Sequence, residues 1–260
     1  MPVEEALSRR SVLIVAAHPD DETIGCGGLL GRMRSPRVLH VTDGAPRNLV
    51  DARAAGFELC EDYAAARRTE LLNALELAGV SAQRAECLEI ADQEASLAMA
   101  DLARRIANLL RDLRPSAILT HPYEGGHPDH DATALAVHAA SNLIPASPEI
   151  YEFTSYHARN GVMEVGCFLI DGEPGEPVVL TNAERQRKQR MVECFATQLP
   201  MLRNFPLDIE RFRTAPVYDF TQAPHAGKLF YENFDWGMTG TRWRDLAAEA
   251  LNELGVVARA

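Results

Sequence analysis

The sequence predicts an α/β fold in which helices cover both faces of a mainly parallel sheet. Segments typical of strands alternate with segments of helix length, and this alternation indicates β-α-β units. The first apolar run, "VLIVAA" at residues 12–17, is continuous rather than alternating, as expected for a strand buried on both faces. With 260 residues, of which 47% are hydrophobic, the chain is long enough for one large domain.

The predicted strands are short apolar runs that stop at polar or turn-forming residues. The first run stops at His18, and the second stops at the turn signal "DG", residues 43–44. The fourth run, "AILT", stops at another polar cluster. In chain order, the predicted strands are residues 12–17, 37–42, 87–90, 117–120, 149–156 and 165–170.

The predicted helices carry an amphipathic or strongly charged pattern and end at recognisable stop signals. The second helix ends at Gly79, a typical C-cap residue, and the third ends shortly before Pro115. Residues 200–240 are rich in proline and aromatic side chains, and we expect packed loops there. In chain order, the predicted helices are residues 25–33, 59–78, 95–113, 131–142, 182–197 and 242–254.

Charge and cysteine content argue against several classes of protein. Lys and Arg number 26 and Asp and Glu number 37, and this net charge of −11 makes nucleic acid and anionic membranes poor partners. No apolar stretch reaches the ~18 residues of a membrane span, and the N-terminus lacks an apolar secretory core, so we expect a cytoplasmic protein. The five cysteines are scattered without a C-x-x-C spacing, which indicates reduced thiols.

Two polar clusters follow two of the predicted strands. "HPDDE" occupies residues 18–22, and "HPDH" occupies residues 127–130. Ligands of an open parallel sheet bind outside the carboxyl ends of the strands, so the clusters would meet in one crevice if their strands are neighbours. A divalent cation shared between them would offset the repulsion and the desolvation of the acids.

The residue types of these clusters suit a catalytic zinc site, which typically has three protein ligands and one open position. His18 and Asp21 can face one point across a strand-to-helix turn, and one histidine of the second cluster would complete the set. Asp20 would then lie beside the metal, where a general base for the metal-bound water belongs. Alternatively, Asp20 and Asp21 cap the following helix, where its dipole stabilises acids.

The other glycines and histidines have simpler interpretations. A dinucleotide-binding G-x-G-x-x-G starting at Gly25 would need glycine at the position of Leu30, and the preceding acids would repel a pyrophosphate. The glycines instead let the helix approach the sheet closely. We expect His40 and His138 to be packed or exposed histidines, whereas His121 ends a strand and stays undecided.

The motifs resemble those of a known family. "AAHPDDETIGCGG" followed by "HPDHDA" resembles the PIG-L/LmbE-like family of metal-dependent N-deacetylases, and "VTDGAP", "RRTELLNALELAGV" and "KQRMVECFATQ" are similar to its secondary motifs. The resemblance covers residues 10–212. It implies a Rossmann-like three-layer sandwich, and we predict a single domain over residues 1–260, with 213–260 as a C-terminal extension packed on it.

The resemblance also implies roles for individual residues. It implies metal ligation by His18, Asp21 and His130, with Asp20 as the general base.

Four further residues receive a role in the same way. His127 would stabilise the oxyanion and protonate the leaving amine, and Asp129 would orient His127 or stabilise its charge. Arg67 and Asp92 fall where family members contact the sugar, although a surface ion pair accounts for Arg67 equally well.

The predicted function is a zinc-dependent hydrolase that removes an N-acetyl group from an amino sugar or a related glycoside. Fe²⁺ or another divalent metal is the alternative cofactor. The predicted partner is a small N-acetylated sugar conjugate, and a homo-oligomer is left open. Two rival functions are a non-haem iron(II) oxygenase with a two-histidine, one-carboxylate site and a metal-stabilised sugar-binding module. Neither rival needs a base such as Asp20 beside the metal.

Overall fold

The computed structural model describes residues 1–169 and 174–256. Its strands are β1 (Val12–Ala16), β2 (Arg37–Thr42), β3 (Ala85–Ile90), β4 (Ala117–Thr120), β5 (Glu149–Phe153), β6 (Tyr156–Arg159), β7 (Val162–Val165), β8 (Glu176–Val179) and β9 (Ile209–Thr214). Its α-helices are α1 (Val3–Arg9), α2 (Asp21–Leu30), α3 (Val50–Ala54), α4 (Cys60–Leu77), α5 (Met99–Leu113), α6 (Pro128–Asn142), α7 (Asn182–Glu193), α8 (Leu199–Leu202) and α9 (Gly240–Leu254).

A mainly parallel sheet forms the centre of the fold, as predicted. Among the described residues, seven strands form this sheet in the order β3-β2-β1-β4-β5-β9-β8. The first five strands in that order are parallel, and β9 and β8 are antiparallel to their neighbours. One core joins the Leu13 face of β1 to α5, α6 and α9, and another joins the Ile14 face to α2, α4 and α7. The three-layer α/β prediction is therefore confirmed.

The strand order reverses between β1 and β4. From β1 the chain runs through α2 to β2 on one side, and from β3 it returns through α5 to β4 on the other side. The two strands are parallel neighbours, with Val15 opposite Thr120 near their carboxyl ends. Such a reversal opens a crevice at the carboxyl edge of the sheet.

Two helices begin about one turn earlier than the sequence predicts. Helix α2 begins at Asp21 rather than at residue 25, and α6 begins at Pro128 rather than at residue 131. The prediction started each helix after the polar motif, because acids and a proline interrupt the apolar pattern. Proline and acids are nevertheless suited to a first helical turn. Asp21 and Glu22, and Asp129 and His130, consequently lie in the first turns of these two helices.

Strand β9 crosses the region that the sequence predicted to be irregular, so that prediction was wrong for β9. Its buried face carries Glu210, which accepts hydrogen bonds from the amides of Gly28 and Leu29 at 2.7 and 3.0 Å. Lys188 Nζ lies 2.8 Å from the same carboxylate and is also buried. A charged residue on a buried face hides the apolar alternation by which a strand is recognised.

The predicted strand at residues 165–170 was also wrong, because β7 ends at Val165 and the next residues are not in a strand. Position 170 lies outside the described residues. Within the described ranges, no helix combines the length and the apolar character that crossing a membrane requires.

Two glycines of α2 allow the close packing that the sequence suggested. A Cβ atom at Gly25 would lie 2.2 Å from the ring of Phe153, and one at Gly28 would lie 2.3 Å from Leu180. Side chains larger than glycine would therefore push α2 away from the sheet. The single domain over residues 1–260 and its C-terminal extension over residues 213–260 stay predictions. Within that range Trp243 is buried, and its indole N–H donates to the Pro128 carbonyl at 3.1 Å.

Candidate metal centre

The two polar clusters meet in the crevice, because β1 and β4 are neighbours in the sheet. His18 lies just after β1, and the "HPDH" cluster begins α6 after β4. The end of β3 contributes a third segment, which carries Asp92. The structure brings all the predicted site residues together, and all are buried: His18, Asp20, Asp21, Arg67, Asp92, His127, Asp129 and His130.

Asp20 and Asp21 are adjacent in the chain but bind different partners. Asp21 Oδ2 accepts the His18 amide N–H at 2.8 Å, whereas Asp20 Oδ2 accepts from Arg67 Nη2 at 2.8 Å. The backbone of Asp20 has φ 135°, a conformation that is unfavourable for a residue other than glycine. Asp20 occupies the N-cap position of α2 and Asp21 lies in its first turn, as the alternative interpretation expected, but the Asp20 side chain makes no hydrogen bond to the helix amides.

His18, Asp21 and His130 place one ligand atom each within 4.8 Å of one another. Asp21 Oδ2 lies 3.2 Å from His18 Nδ1, and Asp21 Oδ1 lies 3.2 Å from His130 Nε2. Ligand atoms at ~2.0–2.1 Å from a tetrahedral zinc ion are roughly 3.3 Å apart. These three side chains are therefore close enough to share one cation, and they are the set that the resemblance implies.

The second nitrogen of His18 faces two other acids. His18 Nε2 lies 3.2 Å from Asp92 Oδ1 and 3.3 Å from Asp129 Oδ2. The Asp129 carboxylate also accepts the backbone amides of Gln93 and Ala95, at 2.6 and 3.1 Å. Asp129 is thus held by the backbone and contacts the His18 nitrogen that does not contact Asp21, the position from which a carboxylate orients a metal-bound histidine in other proteins.

Electrostatics at the centre favour a positive charge. Burial opposes ionisation of Asp21, yet His130 holds its pKa well below the usual range. Burial likewise opposes the charge of His18, but the carboxylates around it, Asp92 first, raise its pKa well above the usual range. The same field would stabilise a divalent cation between Asp21 and the two imidazoles.

The guanidinium of Arg67 donates hydrogen bonds to three groups of the protein. Its Nη2 donates to Asp20 Oδ2 and to the Pro19 carbonyl, both at 2.8 Å, and its Nη1 donates to the Gly44 carbonyl at 2.5 Å. Burial raises the pKa of Asp20 to about 8, and Arg67 opposes this shift. These contacts favour a positioning role for Arg67 over the predicted contact with a sugar.

His127 lies outside the group of His18, Asp21 and His130 and belongs, with His18, Asp92 and Asp129, to a second group of possible metal ligands. Its Nδ1 accepts the Asp129 amide N–H at 3.1 Å, so the proton of the neutral ring is on Nε2. The Asp129 carboxylate is 4.0 Å from Nδ1, and Asp92 Oδ1 is 3.8 Å from Nε2. Burial, followed by the charge of His18, lowers the pKa of His127 well below its usual range. The geometry thus favours a neutral N–H donor and places the Asp129 carboxylate nearer to His18 than to His127.

Two buried histidines that the sequence left aside support the motif. His40 Nε2 lies 2.9 Å from Glu22 Oε2, which explains why a third acid follows Asp21. His121 Nε2 accepts the Ala17 amide at 3.0 Å, so its lone pair is used and it is a poor metal ligand. A histidine placed among strand residues, as His40 is, was the signal that could have revealed the pairing with Glu22.

A cleft of about 270 Å³ leads to this centre. We call its polar base the floor: His18, Asp20, Asp21, Asp92, His127 and His130. We call its apolar side the aromatic wall: Tyr156, Phe205, Phe230, Phe234 and Trp236. The Trp236 ring lies 4.8 Å from the ring of His127, and Phe234 stacks on Trp236 at 4.5 Å. Three of the wall residues belong to the predicted C-terminal extension, whose role the sequence left open.

The chain is similar to known deacetylases. A family model described as PIG-L, GlcNAc-PI de-N-acetylase, matches residues 13–141, which contain all the predicted site residues. A 1D-myo-inositol 2-acetamido-2-deoxy-alpha-D-glucopyranoside deacetylase from Rhodococcus jostii is 30% identical, over 74% of this chain and 83% of that protein.

Solved structures share the fold at low identity. A deacetylase of the A40926 pseudoaglycone superposes with a TM-score of 0.61 at 20% identity, over 81% of this chain and 100% of that chain. A 4-carboxy-2-hydroxymuconate hydratase from Pseudomonas putida gives a TM-score of 0.57 at 18% identity, over 79% of this chain and 95% of that chain. The hydratase illustrates that this fold alone does not determine the reaction.

Proposed function

Because this chain belongs to the PIG-L family of de-N-acetylases, and is thus a metal-dependent N-deacetylase, we propose that its substrate is an N-acetylglucosamine conjugate or a related N-acylated amino sugar. The relative from Rhodococcus jostii is named for such a glycoside. The observation that carries the proposal is the pair of adjacent carboxylates: Asp21 faces two imidazoles, and Asp20 lies beside them, bound to Arg67.

His18, Asp21 and His130 would hold the cation, and their nitrogen and oxygen atoms suit zinc. When bound, a zinc ion lowers the pKa of a coordinated water and polarises the acyl oxygen. Asp129 keeps His18 in place through its contact with Nε2. A tight ligand set needs such support, because a misaligned imidazole weakens metal binding.

Asp20 is the general base of the proposed reaction. Arg67 engages its Oδ2, and among the described residues no hydrogen bond engages its Oδ1, which is left to accept a proton from water. The carboxyl would be too weakly acidic on its own, since burial raises its pKa to about 8. A neighbouring divalent cation would lower that pKa and keep Asp20 ionised near neutral pH.

His127 acts on the acyl oxygen. Its Nε2–H is the donor that would stabilise negative charge as the amide carbon becomes tetrahedral. Because the pKa of His127 is lowered, we assign it the role of a neutral hydrogen-bond donor rather than that of the acid that protonates the amine. Asp20 would instead transfer the proton taken from water to the departing amine. The aromatic wall would receive the apolar face of the sugar or of the group attached to it, because Phe234 and Trp236 offer no charged contact.

The test is a screen of N-acetylglucosamine conjugates in which acetate and free amine are both measured, in air and under nitrogen. We expect equal amounts of the two products in both atmospheres, loss of turnover with a chelator, and recovery with zinc. Turnover that requires oxygen would favour the iron(II) oxygenase. Saturable binding of the sugars without any product would favour the sugar-binding module.

A further inference from the structure

A second cluster of metal-binding side chains lies in the β6–β7 hairpin, and the proposed reaction does not use it. His157 on β6 pairs directly across the hairpin with Glu164 on β7, and Cys167 follows β7. One ligand atom from each of the three lies within 4.8 Å of the other two. The side chain of His157 is 1% exposed, so its ring nitrogens depend on partners within the protein.

Two carboxylates turn an unpartnered oxygen toward this imidazole. Glu164 Oε1 accepts from Arg159 Nη1, and Glu124 Oε1 accepts the Leu169 amide, both at 2.8 Å. The other oxygens, Glu164 Oε2 and Glu124 Oε2, lie 3.3 and 3.4 Å from the two nitrogens of His157. Both oxygens and His157 Nδ1 are buried without a hydrogen bond. Polar atoms in this state are costly unless a charge or a donor reaches them.

We propose that His157, Glu164 and Cys167 form a second binding site for a divalent cation of the zinc class. The ligands are His157 Nε2, Glu164 Oε2 and the sulfur of Cys167, a nitrogen, oxygen and sulfur set that zinc accepts. His157 Nδ1–H then faces Glu124 Oε2, the arrangement by which a carboxylate orients a metal-bound histidine. Binding releases the thiol proton of Cys167 to solvent, because the thiolate is the ligand.

The site would connect the hairpin to the loop that leads to the catalytic floor. The carbonyl of Tyr156, next to His157, lies against Gly126, where a Cβ atom would come within 1.9 Å of it. Gly126 directly precedes His127. Occupancy would therefore stiffen the loop that positions His127, and loss of the site should alter stability more than chemistry.

The competing explanation needs no metal. Direct contacts of His157 with Glu124 and Glu164 would account for the same distances, with Cys167 as a thiol beside Glu164. The two explanations differ in the state of the sulfur, which is a thiolate only when a cation is bound.

Cobalt(II) separates the two explanations, because a cobalt–thiolate bond gives a near-ultraviolet charge-transfer band and the catalytic ligand set contains no sulfur. The full chain is stripped with a chelator, loaded with cobalt and analysed for absorption and bound metal. We expect two cobalt ions per chain together with the thiolate band. Cys167→Ser should lose the band and one cobalt ion, whereas Cys194→Ser, a change at another partly buried cysteine, should keep both.

His157→Ala serves as a second variant, and it should also lose the band while the catalytic cobalt ion is retained. A wild-type chain that binds one cobalt ion without the band would overturn the proposal. So would a band that persists in Cys167→Ser. Neither result bears on deacetylation, since activity is measured separately on the zinc-loaded protein.

Discussion

The floor and the aromatic wall line the same cleft but are held in place by different interactions. Floor atoms such as Asp21 Oδ2 and His18 Nδ1 are set at 3.2 Å by hydrogen bonds and charge, and a shift of a few tenths of an ångström would change their chemistry. The wall is held by ring packing, such as Phe234 on Trp236 at 4.5 Å, which tolerates exchange of one ring for another. From this difference we expect the floor to determine the reaction and the wall to determine which substrate binds.

The largest expected effect separates the two adjacent acids of the floor. Asp20→Asn keeps the size of the side chain but cannot take a proton from water near neutral pH, so turnover should fall by ~10²–10⁴-fold with metal content unchanged. Asp21→Asn, the matched control, should lose metal and regain part of its activity when zinc is added. Metal analysis and turnover of both variants test this, and full activity of Asp20→Asn would show that the base is misassigned.

The next effect separates the two histidines of "HPDH". His130→Ala should weaken metal binding, because it removes a ligand. His127→Ala should keep the metal and lose roughly 10²–10³-fold in turnover, the usual range for a lost oxyanion donor. Metal titrations followed by kinetics on the loaded proteins measure both effects. Equal loss of metal in the two variants would mean that His127 is a ligand as well.

A smaller effect concerns the wall. Trp236→Ala should raise KM by up to about tenfold with a nearly unchanged kcat, because a ring contact of ~0.5–1.5 kcal/mol is lost in ground state and transition state alike. Trp236→Phe should restore most of the affinity. If kcat falls while KM stays constant, the indole contributes to the floor chemistry through His127, and the division between floor and wall is wrong.

The smallest expected effect is a change in the pH dependence of stability, caused by His138 on α6. The first turn of this helix carries a floor residue, and its later turns pack on the extension. His138 contacts the rings of Tyr218 and Phe220, and burial lowers its pKa to about 4. The unfolded chain binds a proton at this histidine as the pH falls below about 6.5, whereas the folded chain does so only near 4. Wild-type protein should therefore lose stability across that interval, and His138→Leu should lose less.

Thermal unfolding at about pH 7 and about pH 5 checks the effect of His138, because both chains carry the same remaining titratable groups. The difference in Tm between the two pH values should be a few degrees smaller in the variant. Parallel declines in the two proteins would mean that His138 is protonated as readily in the folded chain as in the unfolded chain.

The sequence predicted the elements around the motifs better than the elements that complete the sheet. The strand ending before His18 and the strand of residues 117–120 were recognised because their apolar runs are uninterrupted. Strand β9 was not predicted, because its residue Glu210 is charged and is buried against Lys188 and two helix amides. A buried ion pair between segments distant in the chain leaves no local pattern to read.

By itself, the sequence determined the α/β class and a set of chemistry-bearing residues, because periodicity and short motifs are local properties of the chain. Only the tertiary structure decided that β1 and β4 are neighbours, that Asp20 turns to Arg67 while Asp21 turns to the imidazoles, and that Trp236 of the extension faces the floor. These outcomes depend on contacts between segments that lie tens to hundreds of residues apart. Such contacts are selected by the packing of the whole chain, and no single stretch of residues encodes them.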